Sequence, residues 1–296
     1  MGCSTTLTTS LRKIDDDEES NDICGGIPLL HEEVMKKIDQ KIGSINRVVN
    51  NYDSNKYKSL EEFINYISKE CVDKNLDGFS KAYLVYKWIC SNIKCDVEKE
   101  NKHEKIDDFP EEIYSRKKET ISNFAKLYSH IMNNLNIKTI IVNGYVRGKE
   151  DKISWNIITV DNASYIIESF MGSGNIVNDT WKPEYTDYYF CPNPEEFIFS
   201  HFPDRNFPKY SLLPKDNNIC KSKKDFDNLV KIKRNFFINN LTEIIPKTYN
   251  LETDDLNKVQ IIVKYNRNYK NHELFCHVGI EGIKEVEKKI CLSVKI

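Results

Sequence analysis

Ile121, Phe124, Leu127, Tyr128, Ile131 and Leu135 recur at spacings of three and four. That period places them on one face of a helix, so the segment from about Glu119 to Asn134 is expected to be a core helix. Strand-like runs follow at once, in Thr139-Ile140-Ile141-Val142 with Gly144-Tyr145-Val146, in Ser154 to Val160, and in Tyr165 to Phe170. Their β-branched and aromatic residues suit a pleated surface. Asp161-Asn162 supplies the turn between the last two, and Gly144 marks a bulge or a close approach of backbone. A helix running into consecutive strands predicts an α+β fold.

Further packing elements precede this stretch. Ser59-Leu60-Glu61-Glu62 is a capping box that opens a helix with Phe63, Ile64 and Ile67 on one face. From about Asp77 to Asn92, Ala82, Val85, Ile89 and Ile93 form one stripe, and Tyr83 and Trp88 add bulk. Tyr185 to Phe190 is aromatic and strand-like, and Pro192, Pro194, Pro203 and Pro208 punctuate the segment after it. Beyond Pro214, Ser222 to Leu229 suggests a short capped helix, and Val259 to Val263, Leu274 to Val278 and Ile290 to Val294 read as strands. So few strands make no independent sandwich. The expected organisation is a flexible N-terminal segment over 1–50, a main domain over 51–214, and a helix with a β-rich extension over 215–296.

Composition narrows the chemistry. The net charge of -2 leaves no basic stripe for nucleic acid, because Lys221 to Lys224 and Lys231 to Arg234 sit among Asp and Asn. Nine cysteines occur with no Cys-x-x-Cys pair, which supports neither a zinc site nor a disulfide framework and points to a reducing compartment. Gly172-Ser173-Gly174 lacks the lysine of a phosphate loop, so no nucleotide is expected. No cofactor and no metal is expected on these grounds.

Met1-Gly2-Cys3-Ser4-Thr5-Thr6 fits the pattern for N-myristoylation at Gly2, with Cys3 placed for palmitoylation. A single myristoyl chain binds membrane with an affinity on the order of 10⁴ M⁻¹, so stable anchoring needs the second acyl chain. Asp15-Asp16-Asp17-Glu18-Glu19 cannot bury apolar surface and would be repelled by anionic lipid. Acylation, not charge, is therefore the expected route to the cytoplasmic face of a membrane, and an unacylated chain is expected in the cytoplasm.

The stretch from Arg116 to Gly174 resembles the transglutaminase-like domain of the kyphoscoliosis peptidase and hillarin type. Arg116, Glu119-Thr120-Ile121-Ser122-Asn123-Phe124, Ala125 and Leu127 match a helix that in the family opens with Gly-x-Cys-x-Gly-aromatic. Ile153-Ser154-Trp155-Asn156 matches a His-Ala-Trp-Asn strand. Ile167-Glu168 followed by Gly172-Ser173-Gly174 matches a Leu-Asp strand and its Gly-Ala-Gly run. Tyr189 to Ile198, His201-Phe202-Pro203 and Tyr210 to Leu213 are similar to the family's aromatic segment, so the resemblance covers Leu60 to about Phe237. It implies a papain-like cysteine protease superfamily core with a partial C-terminal β-rich extension, and a Cys-His-Asp triad whose positions hold Ile121, Ile153 and Glu168.

A thiol at a helix start gains from the partial positive charge there, because the thiolate is the nucleophile. Isoleucines can neither exchange protons nor form an acyl intermediate. The expectation is therefore a catalytically inactive, lipid-anchored protein that acts as a binding or scaffold protein at the membrane or cytoskeleton, the cytoskeletal part resting on the resemblance alone. The alternative is a transglutaminase-like cysteine peptidase or acyltransferase using displaced residues, Cys90 or Ser122 with His130 or His201. A binder of small ligands in the vestigial cleft is a third class.

Overall fold

The computed structural model describes residues 23–102, 108–148, 152–248, 261–265, 274–278 and 288–292. Gly2, Cys3, the acidic run and Val259-Gln260 lie outside the described residues.

Four helices lead in: α1 (His31–Asp39), α2 (Ile42–Asn50), α3 (Leu60–Asp73) and α4 (Gly78–Asn92). The capping box forms as the sequence dictates, with Ser59 Oγ accepting the Glu62 N–H and Glu62 Oε2 accepting the Ser59 N–H, both at 3.1 Å. Asp77 caps α4 through the Ser80 N–H at 2.8 Å. Then come β1 (Lys94–Cys95), α5 (Val97–Asn101), α6 (Pro110–Arg116), β2 (Lys118–Glu119) and α7 (Ile121–Asn134). The short parallel pair β1–β2 fixes α5 beside the start of α7.

The sheet is built from β3 (Thr139–Val146), β4 (Ile153–Val160), β5 (Ala163–Ile167) and β8 (His201–Pro203), in the order β5-β4-β3-β8 with antiparallel pairing throughout. Between β5 and β8 lie α8 (Ser169–Ser173), the hairpin β6 (Gly174–Val177) with β7 (Thr180–Pro183), and α9 (Pro194–Phe197). Asp161 and Asn162 both take positive φ, 51° and 60°, in the turn expected between β4 and β5. Helix α7 packs on β4 and β3 and against α4, so its buried residues extend well beyond one stripe and include Asn123 and Ser129. The chain continues through α10 (Lys223–Asn228), α11 (Arg234–Ile238) and β9 (Leu241–Ile245), which pairs with β10 (Ile262–Tyr265); β11 (Leu274–Val278) pairs with β12 (Lys288–Leu292).

Four expectations need correction. Residues 31–50 are not a flexible segment, because Val34, Ile38, Ile45 and Val48 on α1 and α2 are buried in the main core. The strand expected to reach Phe170 stops at Ile167, since the Glu168 carboxylate caps α8 and turns the chain into a helix. The aromatic run near Tyr189 forms a 3₁₀ turn over Asp187–Tyr189 instead of a strand. A boundary at 214 divides one apolar cluster, for Leu213, Cys220, Phe226 and Leu229 pack with Ile198, Phe199 and Phe202.

Gly144 reflects close approach, not a bulge: its register with Ile153 is regular, and a Cβ there would lie 2.2 Å from Trp155 Cη2. Gly172 is equally constrained, since a Cβ would lie 2.0 Å from the Tyr86 hydroxyl, which donates to the Thr186 carbonyl. Gly172→Ala is therefore expected to cost roughly 1–3 kcal/mol in denaturant unfolding, the usual range for overpacking.

Lys117 caps α6 in the left-handed conformation and carries its ammonium 3.0 Å from the Tyr114 ring centroid, 4.7 Å from Trp88 and 5.6 Å from Tyr52. Burial pushes the amine down to about 7, while the ring faces favour the charged form. In the unfolded chain the amine titrates near 10.4. Between these values the unfolded state binds more protons, so this group makes stability rise with pH from about 7 until unfolded tyrosines ionise near 10. Lys117→Met is expected to flatten that rise in urea unfolding followed across the interval; an unchanged slope would exclude Lys117 as its source.

Candidate functional site

The first amides of α7 face two carboxylates. The Thr120 side chain does not cap the helix. The Thr120 N–H donates to Glu119 Oε1 at 2.8 Å, and the Ile121 N–H donates to Glu100 Oε2 at 3.0 Å. Helix N-termini carry partial positive charge and unpaired N–H groups, and both are answered here by acids. Glu119 is fully buried and is held by Arg116 at 2.5 Å, while Arg116 also pairs with the buried Asp108. Lys99 approaches Asp108 to 3.7 Å, and Lys118 lies 3.1 Å from Asp96. Burial raises the affinity of Asp108 for a proton, but its hydrogen bonds with Glu119 and Arg116 outweigh this and hold its carboxyl below the usual range.

Ile121 itself is fully buried, and Ile153 is 1% exposed at the start of β4 opposite Gly144. Alternation along the strand puts Ile153 on the face of Trp155, whereas Asn156 reaches α7 from the other face and donates to the Ala125 carbonyl at 2.9 Å. Trp155 is a core aromatic in edge contact with Phe197 and His201. Glu168, fully buried, accepts from the Phe170 N–H at 3.1 Å and the Met171 N–H at 2.6 Å. Each of its carboxylate oxygens thus accepts from an amide of the first turn of α8.

The displaced candidates are not brought together. Cys90 is buried in α4, its thiol donating to the Ser169 carbonyl at 3.3 Å. Burial and the charge of Glu168 push that thiol well above its ordinary range, which disfavours thiolate. Ser122 and His130 lie on one helix eight residues apart, about 12 Å along its axis and beyond hydrogen-bond reach. His130 stands at the surface, 4.0 Å from Glu111. His201 is 1% exposed and stacks on Phe197 at 3.8 Å, and burial pushes it down to about 3. Its Nδ1 lies 2.7 Å from Ser200 Oγ, a Ser-His contact visible in the sequence only as adjacency, and the Ser200 hydroxyl is also within 3.2 Å of the Phe197 carbonyl. Among the described residues no hydrogen bond reaches its Nε2, and the ring packs against Phe197 and Trp155.

Sequence reasoning missed Glu100, Asp108 and Glu119. No spacing rule marks Glu100 as a partner of α7, because the β1–β2 pairing alone brings it there. Two cavities, of about 760 and 180 Å³, are lined by neither Ile121, Ile153 nor Glu168. Among the described residues no group of three His, Cys, Asp or Glu could hold a metal, and no helix is long and apolar enough to cross a membrane.

Residues 65–182 match the model of the transglutaminase-like superfamily. The chain is 22% identical over 207 residues to the kyphoscoliosis peptidase of Mus musculus, covering 66% of this chain and 30% of that protein. It is 23% identical over 181 residues to the kyphoscoliosis peptidase of Homo sapiens, covering 57% and 26%. The chain thus spans less than a third of the length of these curated relatives. Among solved structures, it is similar to a putative cysteine protease from Cytophaga hutchinsonii, with TM-score 0.32, 16% identity and coverage of 43% and 42%. A second similar structure is that of a TGase, with TM-score 0.34, 15% identity and coverage of 54% and 42%. The segment over 65–182, in which the buried helix α7 packs on β3 and β4 of an antiparallel sheet, is thus similar to the transglutaminase-like superfamily and has an α+β core.

Proposed function

We propose that this protein is a catalytically inactive member of the transglutaminase-like superfamily, anchored to a membrane through acylated Gly2 and Cys3, that works as a binding or scaffold protein at the membrane or cytoskeleton. The observation that carries the inactive reading is the state of the three proposed triad positions. Ile121 and Ile153 are sealed and apolar, and the Glu168 carboxylate accepts from two backbone amides. An acyl-transfer site needs a nucleophile, a base within reach and a group that orients the base. Here the helix start that would favour a thiolate already holds the carboxylates of Glu100 and Glu119.

The membrane part rests on the Gly2-Cys3 pattern and on the two-chain requirement for stable anchoring. The cytoskeletal part rests on analogy with the family that Arg116 to Gly174 resembles, and on nothing else. The peptidase activity in that name is not carried over, because no hydrogen bond joins Cys90 or Ser122 to a histidine among the described residues.

Two outcomes follow. Incubated with an unfolded protein substrate and a fluorescent amine, the full chain is expected to give neither amine incorporation nor peptide cleavage above a heat-denatured control. Activity that Cys90→Ala or Ser122→Ala abolishes would establish the alternative, an acyltransferase or peptidase with displaced residues. In eukaryotic cells, Gly2→Ala is expected to move the protein from the membrane fraction to the soluble fraction; unchanged partition would sink the anchor.

A further inference from the structure

The larger cavity lies at the opposite end of the β4–β5 hairpin from the proposed triad positions. Ser164, beside the turn, lines it, and Ile153 sits about 20 Å away along β4. Its apolar walls come from two separate stretches: Ile23 and Pro28 on one side, and Phe207, Leu212, Leu213 and Pro214 on the other. At about 760 Å³ it falls within the range of about 300–1,000 Å³ typical of pockets for small apolar ligands. It shares Pro28, Ser164, Leu212 and Pro214 with the smaller cavity, so the two form one elongated groove. Beside it Ile27 is 94% exposed.

We infer that this groove holds the myristoyl chain of Gly2, so that anchoring is a choice between the protein's own groove and the bilayer. The inference rests on the acylation proposed above. Three observations select this occupant. First, Ile23, where the N-terminal residues join the described structure, is itself part of the groove wall. The 22 residues from Gly2 to Ile23 span at most about 75 Å when extended, ample to bring Gly2 back. Second, the groove also carries exposed Lys209, Lys215 and Lys221, while Asp15 to Glu19 lies between Gly2 and Ile23. The acidic run that anionic lipid repels is opposite in sign to these lysines. Third, a tethered group experiences an effective concentration on the order of millimolar. A single myristoyl chain partitions into membrane with a constant on the order of 10⁴ M⁻¹, so a groove of modest affinity competes with the bilayer.

The test uses the full chain co-expressed with an N-myristoyltransferase and sedimented with phosphatidylcholine vesicles, which are neutral and so insensitive to protein charge. Leu212 takes φ 55°, a conformation that Asp tolerates, so Leu212→Asp adds a charge to the wall without backbone strain. A second variant combines Lys209→Glu, Lys215→Glu and Lys221→Glu at the surface. Each is expected to raise the vesicle-bound fraction by about fivefold over the acylated parent, as release of an occupied groove requires, and neither should do so on a Gly2→Ala background. Equal partition of the acylated parent and both variants overturns the groove, as does a rise that persists without Gly2. Absence of the acyl group in the intact mass overturns the anchor itself, and the groove with it.

Discussion

The positive end of α7 is the constraint around which the first half of the domain is arranged. A helix start buried in protein leaves N–H groups that must be paired, and its dipole favours anions. Glu119 and Glu100 supply them from two directions, one from the residue beside the cap and one from α5. A fully buried glutamate is tolerable only with compensation, which Arg116 and the Thr120 amide provide. Arg116 is in turn shared with Asp108, and the parallel β1–β2 pair holds α5 at the right height through the Asp96 N–H bonded to the Glu119 carbonyl at 2.8 Å. Removing Arg116 would leave the buried Glu119 carboxylate without its cation, and removing Glu100 would leave the Ile121 N–H without its acceptor, so the groups depend on one another.

At the far side of the core the same physics acts on Glu168. Its side chain curls back to the amides of its own following turn, making it an N-cap. This local role ends β5 and starts α8, and α8 then brings Gly172 against the Tyr86 hydroxyl. A carboxylate fixed by two amides is well placed to shape backbone.

What the sequence made legible follows the range of the interactions. Periodicity in Ile121 to Leu135 and the reciprocal Ser59–Glu62 cap are local and were readable, as was the Asp161-Asn162 turn. Phe170 looked like strand because its neighbours are β-formers, but the Glu168 cap overrides propensity there. On α1 and α2, Val34 with Ile38 and Ile45 with Val48 fall at helical spacings of four and three, so a period is present there too, but each helix is only nine residues long and offers just two buried positions to show it. The pairing of Glu100 with Ile121, and the joining of Ile23 with Phe207 in one groove, are products of tertiary structure that no local pattern marks.

The proposed loss of catalytic groups also has an energetic direction. Fully burying an isoleucine stabilises a fold by roughly 1.5–3 kcal/mol, and Ile121 and Ile153 are both sealed. Placing a thiol and an imidazole at the same positions would remove that apolar contact and bury polar atoms, the imidazole on the strand face that also carries Trp155. The helix start would in addition have to give up the Glu100 carboxylate, because a thiolate beside it would meet like charge. Each replacement thus makes the others harder to reverse one at a time. Under that proposal Ile121 and Ile153 serve the core, and the groove at the other end of the β4–β5 hairpin lies well away from them.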